Sequence, residues 1–148
     1  MKTNFLNVAL ADDDEDDRMI FKEAIGQVSI KTQLALFKDG EELMDFLQLP
    51  EIVQPNLLFL DLNMPAKNGM QCLKEIRQNP SLKNLAIAIY STSSSEQDIE
   101  DTFVNGANIY INKPASFGKL KEVIEKVLQL NWQYHTSNMN RNTFLFRF

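Results

Sequence analysis

Three aspartates, a serine and a lysine stand where short apolar runs of this chain end. Asp12 and Asp13 follow residues 7–11, Asp61 follows 57–60, Ser91 follows 85–90 and Lys113 follows 108–112. If those runs are neighbouring parallel strands, the five groups converge on one edge of a sheet. Carboxylates that close repel one another, which raises the pKa of some of them. A divalent cation that prefers oxygen relieves the repulsion. Magnesium is the natural candidate, because it keeps waters and takes one or two carboxylates together with a substrate phosphate. Lys113 adds a positive point charge suited to a carboxylate or a phosphoryl oxygen, and the Ser91 hydroxyl can donate to the same oxygen. The set suits phosphoryl transfer to a carboxylate, a reaction catalysed mainly by positioning and charge neutralisation.

The elements that would hold these groups follow from periodicity. Strands are expected at 7–11, 32–37, 57–60, 85–90 and 108–112. Helices are expected at 18–28, 41–49, from beyond Gly69 to about Asn79-Pro80, 96–105 and 117–130. Met19, Ile20, Phe21, Ala24 and Ile25 approach helical spacing. Leu43, Phe46 and Leu47, and later Leu120, Val123, Ile124, Val127 and Leu128, mark inward helix faces. Asp39 can cap the second helix and Gly106 can stop the fourth. The run 57–60 is apolar throughout, as a central strand covered on both faces should be. Strands alternating with helices imply an α/β fold with a doubly wound parallel sheet, whose ligands sit beyond the carboxyl ends of the strands.

Four segments at those ends, Ala11-Asp12-Asp13, Leu60-Asp61-Leu62-Asn63-Met64-Pro65 with Gly69 beyond, Tyr90-Ser91-Thr92, and Tyr110-Ile111-Asn112-Lys113-Pro114, resemble the receiver domain of response regulators. The resemblance spans about residues 4–130. It implies a flavodoxin-like (βα)5 fold with strand order 2-1-3-4-5, as in the single-domain chemotaxis receivers. Asp61 would be the phosphoacceptor. Asp13 and Asp61 would bind Mg2+ by carboxylate, Asn63 by its main-chain carbonyl, and Asp12 mostly through water. Ser91 would bond a phosphoryl oxygen and move on activation, with Tyr110 rotating inward. Lys113 would pair with the phosphoryl group, and Lys113–Pro114 would be cis. Thr92 stands at the site mouth, where a β-branched group would restrict access and alter phosphate lifetime. The phosphodonor would be a histidine kinase or a phosphotransfer protein. The output would pass to a downstream protein target through the surface of the fourth helix and fifth strand.

Simpler roles compete for several of these residues. Residues 14–17 can be a solvated acidic loop or the charged start of a helix. Tyr110 can be plain core. Cys72 reads as inert, and His135, the only histidine, lies far from the motifs. Two other functions also use parts of the pattern. A phosphohydrolase of the haloacid-dehalogenase type needs a second aspartate two residues after its nucleophile. Asn63 occupies that position, and an amide cannot transfer the proton. A pseudo-receiver binding module would use the fold without phosphorylation, against which stands the complete set of Asp13, Asp61, Ser91 and Lys113. The reading is therefore a phosphoacceptor with at most slow self-dephosphorylation.

The remaining expectations come from bulk properties. The 148 residues fit one domain, with 44% hydrophobic and 24% charged residues. The net charge is −5, and Asp12 to Asp17 supply six of the twenty acids; elsewhere fourteen acids face fifteen bases. The acidity is one local feature, and no basic stripe suggests nucleic acid. The single cysteine excludes an internal disulfide framework and fits a cytoplasmic location. No apolar run approaches the roughly 18 residues of a membrane span. Residues 1–131 are expected to be the receiver domain and 132–148 an aromatic tail, with no output domain. In that tail Phe144, Phe146 and Phe148 alternate. It could pack on its own domain, add a strand to an edge, or mediate a homodimer, for which the fourth helix–fifth strand face is the other candidate.

Overall fold

A computed structural model of the chain describes residues 5–50, 54–130 and Phe144. Five parallel strands, β1 (Leu6–Ala11), β2 (Thr32–Phe37), β3 (Leu57–Leu60), β4 (Ala86–Ser91) and β5 (Ile109–Asn112), form one sheet in the order β2-β1-β3-β4-β5. Five helices connect and follow them: α1 (Glu15–Gly26), α2 (Gly40–Leu47), α3 (Gly69–Gln78), α4 (Glu96–Val104) and α5 (Phe117–Leu128). A short 3-10 turn, Pro80–Leu82, precedes β4. This is the doubly wound fold and strand order expected above.

Two cores result from the period-two alternation of the strands. Val8, Leu10, Leu57, Phe59, Ala86, Ala88, Tyr90, Ile109 and Ile111 pack against α1 and α5. Ala9, Ala11, Leu58, Leu60, Ile87, Ile89 and Tyr110 face α2, α3 and α4. Every residue of β3 is fully buried, which is why its sequence is apolar throughout.

The register aligns the strand ends. Ala11 pairs with Leu60, Leu60 with Ile89, and Ser91 with Asn112. Beyond the ladders, the Asp61 amide donates to the Ala11 carbonyl at 3.0 Å and the Lys113 amide to the Ser91 carbonyl at 2.8 Å. Asp12, Asp61 and Lys113 are thus held by main-chain bonds at a common level.

Several boundaries differ from expectation, each for a local reason. Helix α1 begins at Glu15, three residues early, because Asp14 is its N-cap and accepts from the Asp17 amide at 2.9 Å. The acidic run is the first turn of a helix, where carboxylates favour the dipole. Ser91 is the last residue of β4 rather than the first beyond it. Gly106 has φ +96°, the left-handed conformation that ends α4. The described residues contain no cis peptide bond, so Lys113–Pro114 is trans, contrary to the expectation from resemblance. Trans is the ordinary form of such a bond, and Lys113 reaches its partners from it.

The tail, 132–148, lies outside the described residues except for Phe144. That residue has helical backbone and is fully buried. At this position the alternating-strand reading fails. Its ring packs edge-on to Phe103 at 5.1 Å between centroids and lies 6.2 Å from Tyr110. Phe144 therefore belongs to the core shared by α3, α4 and β5. Phe144→Ala is expected to lower stability by about 3 kcal/mol in urea unfolding, the scale for deleting a core phenyl ring; a loss under about 1 kcal/mol would place the ring outside the core.

Candidate functional site

At the carboxyl edge of the sheet one ammonium faces three carboxylates. Lys113 Nζ donates to Asp12 Oδ2 at 2.8 Å, Asp17 Oδ2 at 3.0 Å and Asp61 Oδ2 at 3.3 Å. An ammonium has three protons, so these contacts use all of them. The lysine stem crosses β4 over Tyr90, with Nζ 5.2 Å from the ring centroid.

Each aspartate has its own setting. Asp12 is wholly buried, and its Oδ1 accepts from the Asp14 amide at 3.0 Å. Its carbonyl accepts from Arg18 Nη1 at 2.8 Å. Asp13 is exposed. Asp61 is 5% exposed, and its Oδ1 accepts from the Asn63 amide at 3.3 Å. The Asn63 side chain lies on the exposed surface.

Burial pushes the Asp61 carboxyl up from 3.8 to about 6; Lys113 opposes this and the Asp12 charge adds to it. Burial alone would lower the Lys113 ammonium. Its hydrogen bonds to Asp12 and Asp17 and the Asp61 charge outweigh burial and hold it above its ordinary value. Burial also raises the Cys72 thiol to about 11. That thiol is enclosed on α3, 3.8 Å from the Gly40 carbonyl, and is inert.

One carboxylate oxygen each from Asp12, Asp13 and Asp61 lie within 4.8 Å of one another. These are hard donors carrying more negative charge than Lys113 balances. The donor set fits a hard divalent cation with oxygen preference.

Close backbone packing fixes the loop after β3. A Cβ at Gly69 would meet the Asp61 carbonyl oxygen at 2.2 Å and Leu62 Cα at 2.7 Å. Only glycine lets the start of α3 come this near the Asp61 backbone. The Gly69 amide donates to the Leu62 carbonyl at 3.0 Å. In the same loop Ala66 has φ 65°, a strained value for a residue with a side chain, and the Lys67 amide closes the turn on the Pro65 carbonyl at 2.7 Å.

Ser91 is buried and its Oγ accepts from the Ser93 amide at 3.1 Å. The hydroxyl proton is not used by that bond. Tyr110 is also buried and donates to the Ser93 carbonyl at 2.8 Å, a carbonyl shared with Asn112 Nδ2 at 3.0 Å. Ser93 Oγ donates to Asp98 of α4 at 2.7 Å. One residue, Ser93, thus joins Ser91, Tyr110 and α4. Tyr110 is inward in this conformation, its ring against Phe144.

Asp12, Asp13, Asp61 and Lys113 are brought together as expected, with Ser91 at the end of the adjoining strand. Asp17 and Ser93 were not singled out from sequence. The first could have been found from its place three residues after a capping Asp14, one helical turn along and level with the site. Ser93 lies in a serine run that carries no distinguishing signal.

A sequence profile described as "Response regulator receiver domain" matches residues 8–125. The response regulator Rcp1 of Synechocystis sp. is 31% identical over 124 residues, covering 81% of this chain and 84% of that protein. The manganese-bound form of Rcp1 superposes with TM-score 0.75 at 30% identity, covering 82% of this chain and 90% of that one. The phosphorylated cyanobacterial phytochrome response regulator RcpA superposes with TM-score 0.77 at 29% identity, covering 83% and 91%.

The raised Asp61 pKa has a consequence for stability. The carboxyl binds its proton more tightly in the folded chain, so its contribution favours folding below about pH 4 and is lost as pH rises through about 6. With chelator present, Asp61→Asn is expected to be more stable than wild type at pH 7.5, by at most roughly 3 kcal/mol at about 1.4 kcal/mol per pKa unit. The gain should vanish near pH 4. Urea unfolding across that range tests this; a gain independent of pH would contradict it.

Proposed function

The chain belongs to the family of response regulator receiver domains, signalling proteins phosphorylated on an aspartate in two-component systems, and on that premise we propose that Asp61 is its phosphoacceptor. The observation that supports this most is the ion cluster on Lys113, in which the ammonium lies against Asp61 and Asp12.

With a carboxyl pKa of about 6, Asp61 is mostly ionised at neutral pH and can attack phosphorus. The new P–O bond forms as the bond to the donor breaks, and the donor's imidazole departs. Lys113 offsets charge on the phosphoryl oxygens. Ser91, with its Oγ anchored by the Ser93 amide, can donate its hydroxyl proton to one of them. Mg2+, held by Asp13 and Asp61, by the Asn63 main-chain carbonyl as the family resemblance implies, and by Asp12 through water, would neutralise the remaining charge. Asn63 offers no proton-transferring side chain. The acyl phosphate therefore lacks a general base two residues after its aspartate, in keeping with slow self-dephosphorylation and with signalling rather than turnover.

The signal leaves the site through Ser91, Ser93 and Tyr110. Engaging Ser91 pulls on the Ser93 peptide, whose carbonyl holds Tyr110 and whose hydroxyl holds α4. The reading assigns output to the α4–β5 surface and protein contact, including self-association there or through the 132–148 tail. The donor is a histidine kinase or phosphotransfer protein in the cytoplasm. Among the described residues no helix is long and apolar enough to cross a membrane. Residues 1–131 are taken as the receiver unit, with Phe144 completing its core.

The test is incubation with a small phosphodonor, followed by intact mass. Wild type with Mg2+ should gain one phosphoryl group. Asp61→Asn, or wild type with chelator, should gain none. Equal labelling of Asp61→Asn would remove Asp61 from the role.

A further inference from the structure

We infer that Asp17 is a positioning residue for the phosphoryl site: it holds the third proton of Lys113 and releases it when a phosphoryl oxygen arrives at Asp61. The inference rests on the phosphoacceptor reading of Asp61 and goes beyond it, since Asp17 belongs to neither the acceptor nor the metal set.

Asp12, Asp17 and Asp61 together take all three Lys113 donors. A phosphoryl group on Asp61 removes the carboxylate charge that holds the 3.3 Å donor and brings several oxygens that compete for a second donor, held by Asp12 or Asp17. Burial decides which. The Asp12 side chain is 0% exposed, and without Lys113 its carboxylate would lose its cationic partner in a dry setting. The Asp17 side chain is 40% exposed, so water replaces the ammonium at small cost. Asp17 is also in the first turn of α1, where the helix dipole stabilises its charge without Lys113.

Asp17 therefore acts as a releasable counter-charge. In the resting protein it keeps the ammonium poised over Asp61. On phosphorylation it competes with the phosphoryl oxygens for the same proton, and its negative charge opposes theirs. Both effects have the same sign: removing the Asp17 charge should tighten the hold on a phosphoryl group. Damage to the fold would act in the opposite direction.

Beryllofluoride, which mimics the phosphoryl group on a carboxylate, provides the probe, titrated into full-length protein at saturating Mg2+. Asp17→Asn is expected to bind it about two- to fivefold more tightly than wild type, the range for one partly exposed charge pair. Asp17→Glu, which keeps the charge, should return the affinity towards that of wild type. Unchanged or weaker binding in Asp17→Asn overturns the role of Asp17 while leaving Asp61 as acceptor. Absence of binding to wild type overturns both. Tightening by Asp17→Glu as large as by Asp17→Asn also overturns it, because the effect would then not follow charge.

Discussion

The confinement of one ammonium among several carboxylates is the constraint on which the site depends. Asp12 and Asp61 are buried at the ends of adjacent strands, a placement whose like charges would repel without a cation. Lys113 reaches them by crossing β4 over the Tyr90 ring, and its own burial is tolerated because oxygens surround it. The balance is incomplete: with Asp13 nearby, the site still carries excess negative charge. That excess makes it receptive to a divalent cation, while burial, with the Asp12 charge adding to it, raises Asp61 to about 6. The parallel sheet exists, in functional terms, to keep these groups at one level.

A second constraint ties the end of β4 to α4 and β5. Ser93 uses its amide, carbonyl and hydroxyl on three different partners, Ser91, Tyr110 and Asp98. Such a residue cannot move for one partner without disturbing the others. Tyr110 is in turn covered by Phe144, which also touches Phe103 of α4. The chain beyond α5 thus contributes to the packing around the hydroxyl that senses Ser93. A shift of the Ser93 peptide would be felt by the α4 face through packed side chains that have little spare room. Ser91 at the strand end and packing at Phe144 are linked through this one peptide and the Tyr110 ring.

How much could be read without coordinates varies from residue to residue. The run 57–60 was legible as a central strand because a strand covered on both faces must be apolar at every position, and Asp61 stood out where the run stopped. Strand-end reading also found Asp12, Ser91 and Lys113. The start of α1 was not legible from hydrophobic spacing, since its first turn is all acid; the cap at Asp14 decided it. That shift brought Asp17 onto Lys113, a contact between a helix and a distant strand end that no local spacing reports. The cis peptide expected at Lys113–Pro114 came from resemblance alone, and the structure has trans. Ser93 was hidden among Ser94 and Ser95, which share its composition but not its register. Phe144 looked like part of an alternating pattern, and only packing against Phe103 and Tyr110 shows what it does.

The central claim is that the phosphoryl group sits on Asp61 and on no other carboxylate of this crowded edge. Borohydride reduces an acyl phosphate to the alcohol, leaving homoserine where the modified aspartate stood, and peptide mass mapping then locates it. The account predicts homoserine at position 61 alone after phosphorylation with Mg2+. Homoserine at Asp12, Asp13 or Asp17 in its place would contradict it.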